Sequence, residues 1–144
     1  MFKFRLASVL RLRKYKENIR LEQVGRCISQ LQAAELKKEE INHKIQILED
    51  EYAAYLKGVI SSEKINWYRN YIFYQQNLLK LQEEIILEKR KNLEVARQNL
   101  VEAMKDRKIL DKLQEKQYLR YQQEEGKKEQ ILQDELAAVA SKRR

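Results

Sequence analysis

One histidine, His43, and one cysteine, Cys27, have the widest chemical reach in this sequence of 144 residues. An imidazole could serve as general acid or base and a thiolate as nucleophile or metal ligand, but each needs partners that converge on it. His43 is flanked by Glu39, Glu40 and Lys44, a polar stretch that reads as a solvated helix face. Cys27 falls among apolar residues at helical spacing, where a thiol acts as a small core side chain. A lone cysteine excludes an intramolecular disulfide and a cysteine-based metal site, and it fits a reducing compartment. There is no glycine-rich phosphate loop and no serine elbow. The carboxylates read as a solvated face with cations four residues on, as in Glu40 with Lys44 and Glu124 with Lys128. The sequence therefore predicts no catalytic residue, no cofactor and no metal: a protein that binds other proteins and is not an enzyme.

The elements that would have to hold a site explain why none is expected. The chain lacks proline, has three glycines (Gly25, Gly58 and Gly126) and is 36% charged; its mean hydropathy is −0.77. Ala, Glu, Lys, Leu, Arg and Gln dominate, all good helix formers and together the composition of long helices and coiled coils. The net charge is +8, from 30 basic and 22 acidic residues, which suits an acidic partner, an anionic membrane surface or nucleic acid. Both ends are positive. Lys3, Arg5, Arg11, Arg13, Lys14, Lys16 and Arg20 face a single acid, Glu17, and the chain closes on Lys142, Arg143 and Arg144. No apolar run approaches the roughly 20 residues of a membrane span. Basic residues interrupt MFKFRLASVLRLRK, so it is no secretory signal. It is similar to a mitochondrial presequence, but the helical pattern runs through it without a processing-type break.

A seam with alternating steps of three and four runs through Val24, Cys27, Leu31, Ala34, Lys38, Ile41, Ile45, Leu48, Tyr52, Tyr55 and Val59. This is the apolar stripe of a coiled coil. Breakers follow. Gly58 is suited to end a helix in the left-handed conformation, with Val59 packed over the turn and Ser61 or Ser62 capping the next helix. A second seam reads Trp67, Tyr71, Tyr74, Leu78, Leu81, Ile85, Lys89, Leu93, Ala96, Leu100, Ala103, Arg107 and Leu110, with a stutter around Lys89. Antiparallel pairing of Tyr52 with Trp67, Leu48 with Tyr71 and Ile45 with Tyr74 keeps the facing residue numbers at a constant sum. Beyond the stutter, Cys27 with Leu93 and Val24 with Ala96 keep a constant one higher. The expected fold is all-α: a long antiparallel two-helix coiled-coil hairpin and a single domain. Helix one covers about 4–57, the turn 58–62 and the longer helix two about 62–138. Beyond about residue 117 helix two has no expected partner.

Two places break the pattern. Extended backwards, the first seam meets Arg20, Glu17 and Arg13, and Arg13 would face Arg107. Val9, Leu12 and Ile19 sit one residue off it. Either a register shift returns them to the core, or they form a second stripe, flanked by Arg, that docks a partner. Near the turn crowd Tyr52, Tyr55, Trp67, Tyr68, Tyr71, Phe73 and Tyr74. Most are expected to cap the hairpin. Tyr68 and Phe73 fall off the seam, and exposed aromatics are what a binding hot spot offers.

The opening Phe2-Lys3-Phe4-Arg5-Leu6 with Val9-Leu10-Arg11-Leu12-Arg13 resembles the start of the flagellar export protein FliJ family. So do the single turn near residue 60, the run Trp67-Tyr68-Arg69-Asn70-Tyr71, and the tail Gln133-Asp134-Glu135-Leu136-Ala137 with its basic end. The resemblance implies a cytoplasmic hairpin, peripheral at the inner membrane, shaped like the central stalk of rotary ATP synthases. Its implied partners are the hexameric export ATPase, the membrane export gate protein and export chaperones, with no nucleic acid. By this resemblance, the paired terminal ends bind the ATPase through Phe4, Arg5, Leu6, Val9, Arg13, Arg107 and Leu110. The turn end meets gate or chaperones near Ile45, Leu48, Tyr52, Tyr55, Trp67, Tyr68, Phe73, Tyr74, Leu78 and Leu81. Several of these residues also belong to the expected core. The alternatives are a generic structural coiled coil, an injectisome-type secretion stalk, and a basic nucleic-acid binder with steep salt dependence.

Overall fold

The structure, a computed structural model, describes residues 1–143. Arg144, counted above in the basic terminus, lies outside the described residues. Two helices account for the fold: α1 (Ala7–Tyr55, 49 residues) and α2 (Ser62–Lys142, 81 residues), packed antiparallel as a hairpin with the second helix longer. The chain divides into two compact units, one of residues 20–100 and the other of residues 1–19 with those from 101 onward.

In the unit of residues 20–100 the first seam lies where the spacing placed it. Val24, Ala34, Ile45 and Leu48 are buried; Cys27, Leu31, Lys38, Ile41, Tyr52 and Tyr55 are half-buried. The second seam does not lie where it was expected. The seam of α2, buried or half-buried throughout, runs Ile65, Tyr68, Ile72, Gln75, Leu79, Gln82, Ile86, Lys89, Leu93 and Ala96. Their steps alternate three and four without interruption, so the register carries no stutter. Trp67, Tyr74, Leu81 and Ile85 lie one residue off this seam and are exposed. Tyr68, expected off the seam, sits on it, with its ring 5.6 Å from that of Tyr52 and 5.8 Å from that of Tyr55.

The cause is two glutamines. Gln75 and Gln82 are each 4% exposed and occupy seam positions. Gln82 Nε2 donates a hydrogen bond of 2.8 Å to the Ala34 carbonyl on α1. A search for apolar residues avoids both positions and slides onto the neighbouring stripe, which is wholly apolar. Val24, Leu93 and Ala96 form the buried cluster, with Cys27, Ile28, Leu31 and Leu100 packed against it. Among the described residues no large side chain is fully enclosed, because two helices cannot surround a residue on every side.

At its C-terminus α1 tightens: the amides of Lys57 and Gly58 donate to the carbonyls of Ala54 and Tyr55, three residues back, at 3.3 and 3.1 Å. Gly58 does not adopt the left-handed conformation expected of it; no described glycine has a positive φ. Val59 does not pack over the turn but is 96% exposed. The turn is held instead by Tyr55, whose hydroxyl accepts from the Ser61 amide at 2.6 Å. Ser61 is the N-cap residue of α2, its carbonyl accepting from the Ile65 amide, and Glu63 lies in the positive first turn.

In the other unit, Leu10 is buried and Arg13, Glu17, Ala103, Arg107, Leu110 and Gln117 are half-buried, so the same three-four spacing continues through charged positions. No register shift rescues Val9 and Leu12, which remain exposed, whereas Ile19 is half-buried. The start of α1 has no acidic residue in its first turn. Packing anchors it: Phe4 is buried, and the Phe2 ring lies 5.2 Å from Tyr118 and 5.5 Å from Tyr121. The chain therefore partners α2 as far as Tyr121, a turn further than expected. After Tyr121 every described residue but Glu125 is exposed.

Candidate protein-docking surfaces

No convergent chemistry is assembled. Among the described residues no three His, Cys, Asp or Glu side chains come together at a metal-sized site. His43 is exposed, and Cys27 is half-buried with its Sγ 3.9 Å from the Asn92 carbonyl. The concavities are shallow. One, beside Glu22, Gly25, Arg26, Ser29 and Gln30, exists because glycine and serine leave a gap on the outer face of α1. No described helix is long and apolar enough to cross a membrane.

What the two helices do present is surface. The unit of residues 1–19 and 101 onward holds 17 Lys and Arg against 10 Asp and Glu, a net +7 of the chain's +8; residues 20–100 hold 13 against 12. The seam of the basic unit resolves the expected clash of Arg13 with Arg107. Arg13 Nη1 lies 2.9 Å from Asp106 Oδ2. Arg107 donates from Nε and Nη2 to the two oxygens of Glu17 at 2.6 and 3.3 Å, and from Nη1 to Asp111 at 2.7 Å. This fork between two carboxylates holds the guanidinium above its already high pKa, the Glu17 hydrogen bond being the main cause and Asp111 the second. Glu17, the only acid among the first residues, is thereby occupied, and Lys3, Arg5, Arg11, Lys14 and Lys16 remain exposed beside Val9, Leu12 and Tyr15.

The residues linked by resemblance to an ATPase therefore divide. Arg5 and Val9 are exposed, Leu6 and Leu110 are half-buried, Phe4 is buried, and Arg13 and Arg107 are held in intramolecular ion pairs. Leu12, Arg11 and Lys14, not singled out for that role, share the exposed surface with Arg5 and Val9.

The turn end also divides. Ile45 and Leu48 are buried, and Tyr52, Tyr55 and Tyr68 are half-buried in the seam. Trp67, Phe73, Tyr74 and Leu81 are exposed at 53, 64, 56 and 56%, with Leu78 half-buried between them. The Trp67 ring stacks on Tyr71 at 5.4 Å with 4° between the planes, so the indole is fixed while its outer face stays open. Lys44 on α1 lies 5.3 Å from the Tyr71 ring centre. A hydrogen bond from Lys44 holds the Tyr71 phenol below its usual pKa; partial desolvation opposes this, while the Lys44 charge and Gln75 add to it. Half-buried Tyr71 and exposed Ile85 complete the same stripe. Its place beside the seam was hidden because the apolar pattern assigned it to the intramolecular seam.

The family model described as "Flagellar FliJ protein" matches residues 2–144 of this chain. The fold is similar to that of a solved YscO homolog from Chlamydia trachomatis, with a TM-score of 0.72 at 20% sequence identity, covering 99% of this chain and 96% of that one. No curated protein sequence matches significantly.

Proposed function

Because the chain belongs to the flagellar FliJ family, as its match over residues 2–144 shows, we propose that it is a non-catalytic component of the flagellar type III protein export apparatus. In this reading it is a stalk-like escort in the cytoplasm, peripheral at the inner membrane. It binds the hexameric export ATPase, promotes its assembly, and couples it to the membrane export gate and to export chaperones.

One observation carries the division of labour: the segregation of charge. Nearly all of the net positive charge belongs to the unit built from the two chain ends, while residues 20–100 are close to neutral and expose aromatics. A basic surface with interspersed apolar residues suits an acidic protein channel, because unpaired cations speed and orient docking. Arg5, Val9, Arg11, Leu12 and Lys14 are the residues assigned to ATPase contact. Arg13, Arg107, Leu6 and Leu110 support them from the seam, and Phe4 anchors the start of α1. At the turn end Trp67, Phe73, Tyr74, Leu78 and Leu81 offer the contact surface for gate or chaperone. Ile45, Leu48, Tyr52, Tyr55 and Tyr68 form the packed base beneath it.

The test mixes the purified chain with the cognate export ATPase and reads hexamer formation and ATP turnover. The chain alone should hydrolyse nothing, and adding it should raise hexamer yield. Reversing Arg5, Arg11 and Lys14 to Glu should abolish that gain and leave the helical signal unchanged. No association with the ATPase, or full stimulation by the triple reversal, would remove the reading.

A further inference from the structure

The stripe beside the seam of α2 is itself a seam without a partner. Trp67, Tyr71, Tyr74, Leu78, Leu81 and Ile85 follow one another in alternating steps of four and three, the spacing by which one helix seats knobs against another. Only Tyr71 touches α1, through Lys44 over its ring: Trp67, Tyr74, Leu81 and Ile85 are exposed, and Tyr71 and Leu78 are half-buried. The next position at each end is charged, Lys64 before Trp67 and Glu88 after Ile85, and both are exposed.

We propose that this stripe is the docking surface for the same stripe of a second copy of the chain, running antiparallel. The reason is self-complementarity in size and charge. Turned end for end about its centre, the stripe sets Trp67 against Ile85 of the second copy, Tyr71 against Leu81, and Tyr74 against Leu78. Each bulky ring then meets an aliphatic side chain, and the two-fold axis makes every pair twice. Lys64 meets Glu88 at both ends. On the outer flank, Glu63 comes opposite Lys91 and Asn77 opposite its own copy, so no like charges meet. A parallel pairing reverses all of this: ring falls on ring, Lys64 on Lys64 and Glu88 on Glu88. Like charges in register destabilise a helix pair, so the antiparallel arrangement is the one the residues select.

The contact is a single helix face less than half the length of α2, which places it among small, reversible interfaces. Trp67, Tyr74, Leu78 and Leu81 also belong to the surface assigned above to the export gate. A self-paired copy therefore cannot offer that surface, and dimer and gate compete for it. The self-association does not rest on the gate assignment, since it is measured with no other protein present.

The experiment is sedimentation of the full chain over a concentration series. The wild type should pass from monomer to dimer. Leu78→Glu should stay monomeric throughout while keeping its circular dichroism, because Leu78 lies beside the seam rather than in it. Lys64→Glu and Glu88→Lys should each weaken the dimer by about tenfold, as like charges then meet at both ends. The double swap, Lys64→Glu with Glu88→Lys, should restore it. A wild type that is monomeric at every concentration, or a dimer indifferent to Leu78→Glu, overturns the proposal. So does a dimer that the double swap fails to restore, since its strands then do not run antiparallel in this register. A stripe that recruits only a different helical protein overturns the second copy as its occupant.

Discussion

Replacing Gln82 with leucine should make this protein more stable. Gln82 holds a seam position at 4% exposure, and its amide donates a 2.8 Å hydrogen bond to the Ala34 carbonyl. That carbonyl lies within α1, so it keeps its helical bond from the Lys38 amide when the glutamine is removed. The substitution thus leaves no orphaned acceptor on α1. What is lost is one hydrogen bond, a net contribution of about 0.5–1.5 kcal/mol. What is gained is an apolar side chain of similar size in a buried seam, where burial of a leucine contributes about 1.5–3 kcal/mol, part of it already supplied by the glutamine methylenes. The balance is a stabilisation of about 1 kcal/mol, or about 2–4 °C in the melting midpoint of a chain this size. Urea unfolding followed by far-UV circular dichroism measures it, with Gln82→Ala as the control. That control loses both the bond and the volume and should fall by about 1 kcal/mol or more. A Gln82→Leu midpoint below that of the wild type would refute the reasoning, because the amide would then be worth more than the burial it displaces. The natural glutamine is better explained by register: a polar pair at one seam position fixes alignment at a cost in stability.

Two further outcomes test details of the turn end. Gly58→Ala should leave stability unchanged or raise it by about 0.4–1 kcal/mol in the same unfolding assay, because the residue has no positive φ and an added Cβ meets nothing nearer than the Tyr55 carbonyl at 3.8 Å; a clear loss would mean that a left-handed glycine is required after all. Lys44→Met should raise the pKa of Tyr71, followed by its ring carbon shifts in NMR, towards the ordinary tyrosine value of about 10. The sign follows from linkage. A phenol whose folded pKa is lowered adds stability above its unfolded pKa and loses it as pH falls through the folded value, so the wild type gains on the variant only as pH rises into the tyrosine range.

The sequence by itself determined the architecture. Helix-forming composition, the absence of proline, one breaker region at Gly58-Val59-Ile60-Ser61 and two apolar stripes leave a two-helix antiparallel hairpin as the way to bury both stripes. The first seam was legible residue by residue because all of it except Lys38 is apolar up to Tyr55. The far half of the second seam was legible where it is apolar, at Leu93, Ala96, Leu100, Ala103 and Leu110. Tertiary structure decided which of two neighbouring stripes on α2 faces α1. Trp67, Tyr71, Tyr74, Leu78, Leu81 and Ile85 make the better apolar pattern, yet Ile65, Tyr68, Ile72, Gln75, Leu79, Gln82 and Ile86 carry the packing. Hydrophobicity alone ranks the first set higher, but one continuous register with α1 is possible only for the second. Gln82 can enter that register because the Ala34 carbonyl receives its amide, a partner visible only once the two helices lie side by side. The same holds for Arg13 and Arg107, whose clash on a helical wheel is removed by Asp106, Glu17 and Asp111. Spacing along one helix fixes which residues share a face; whether a polar group on that face is tolerated depends on what the other helix brings opposite it.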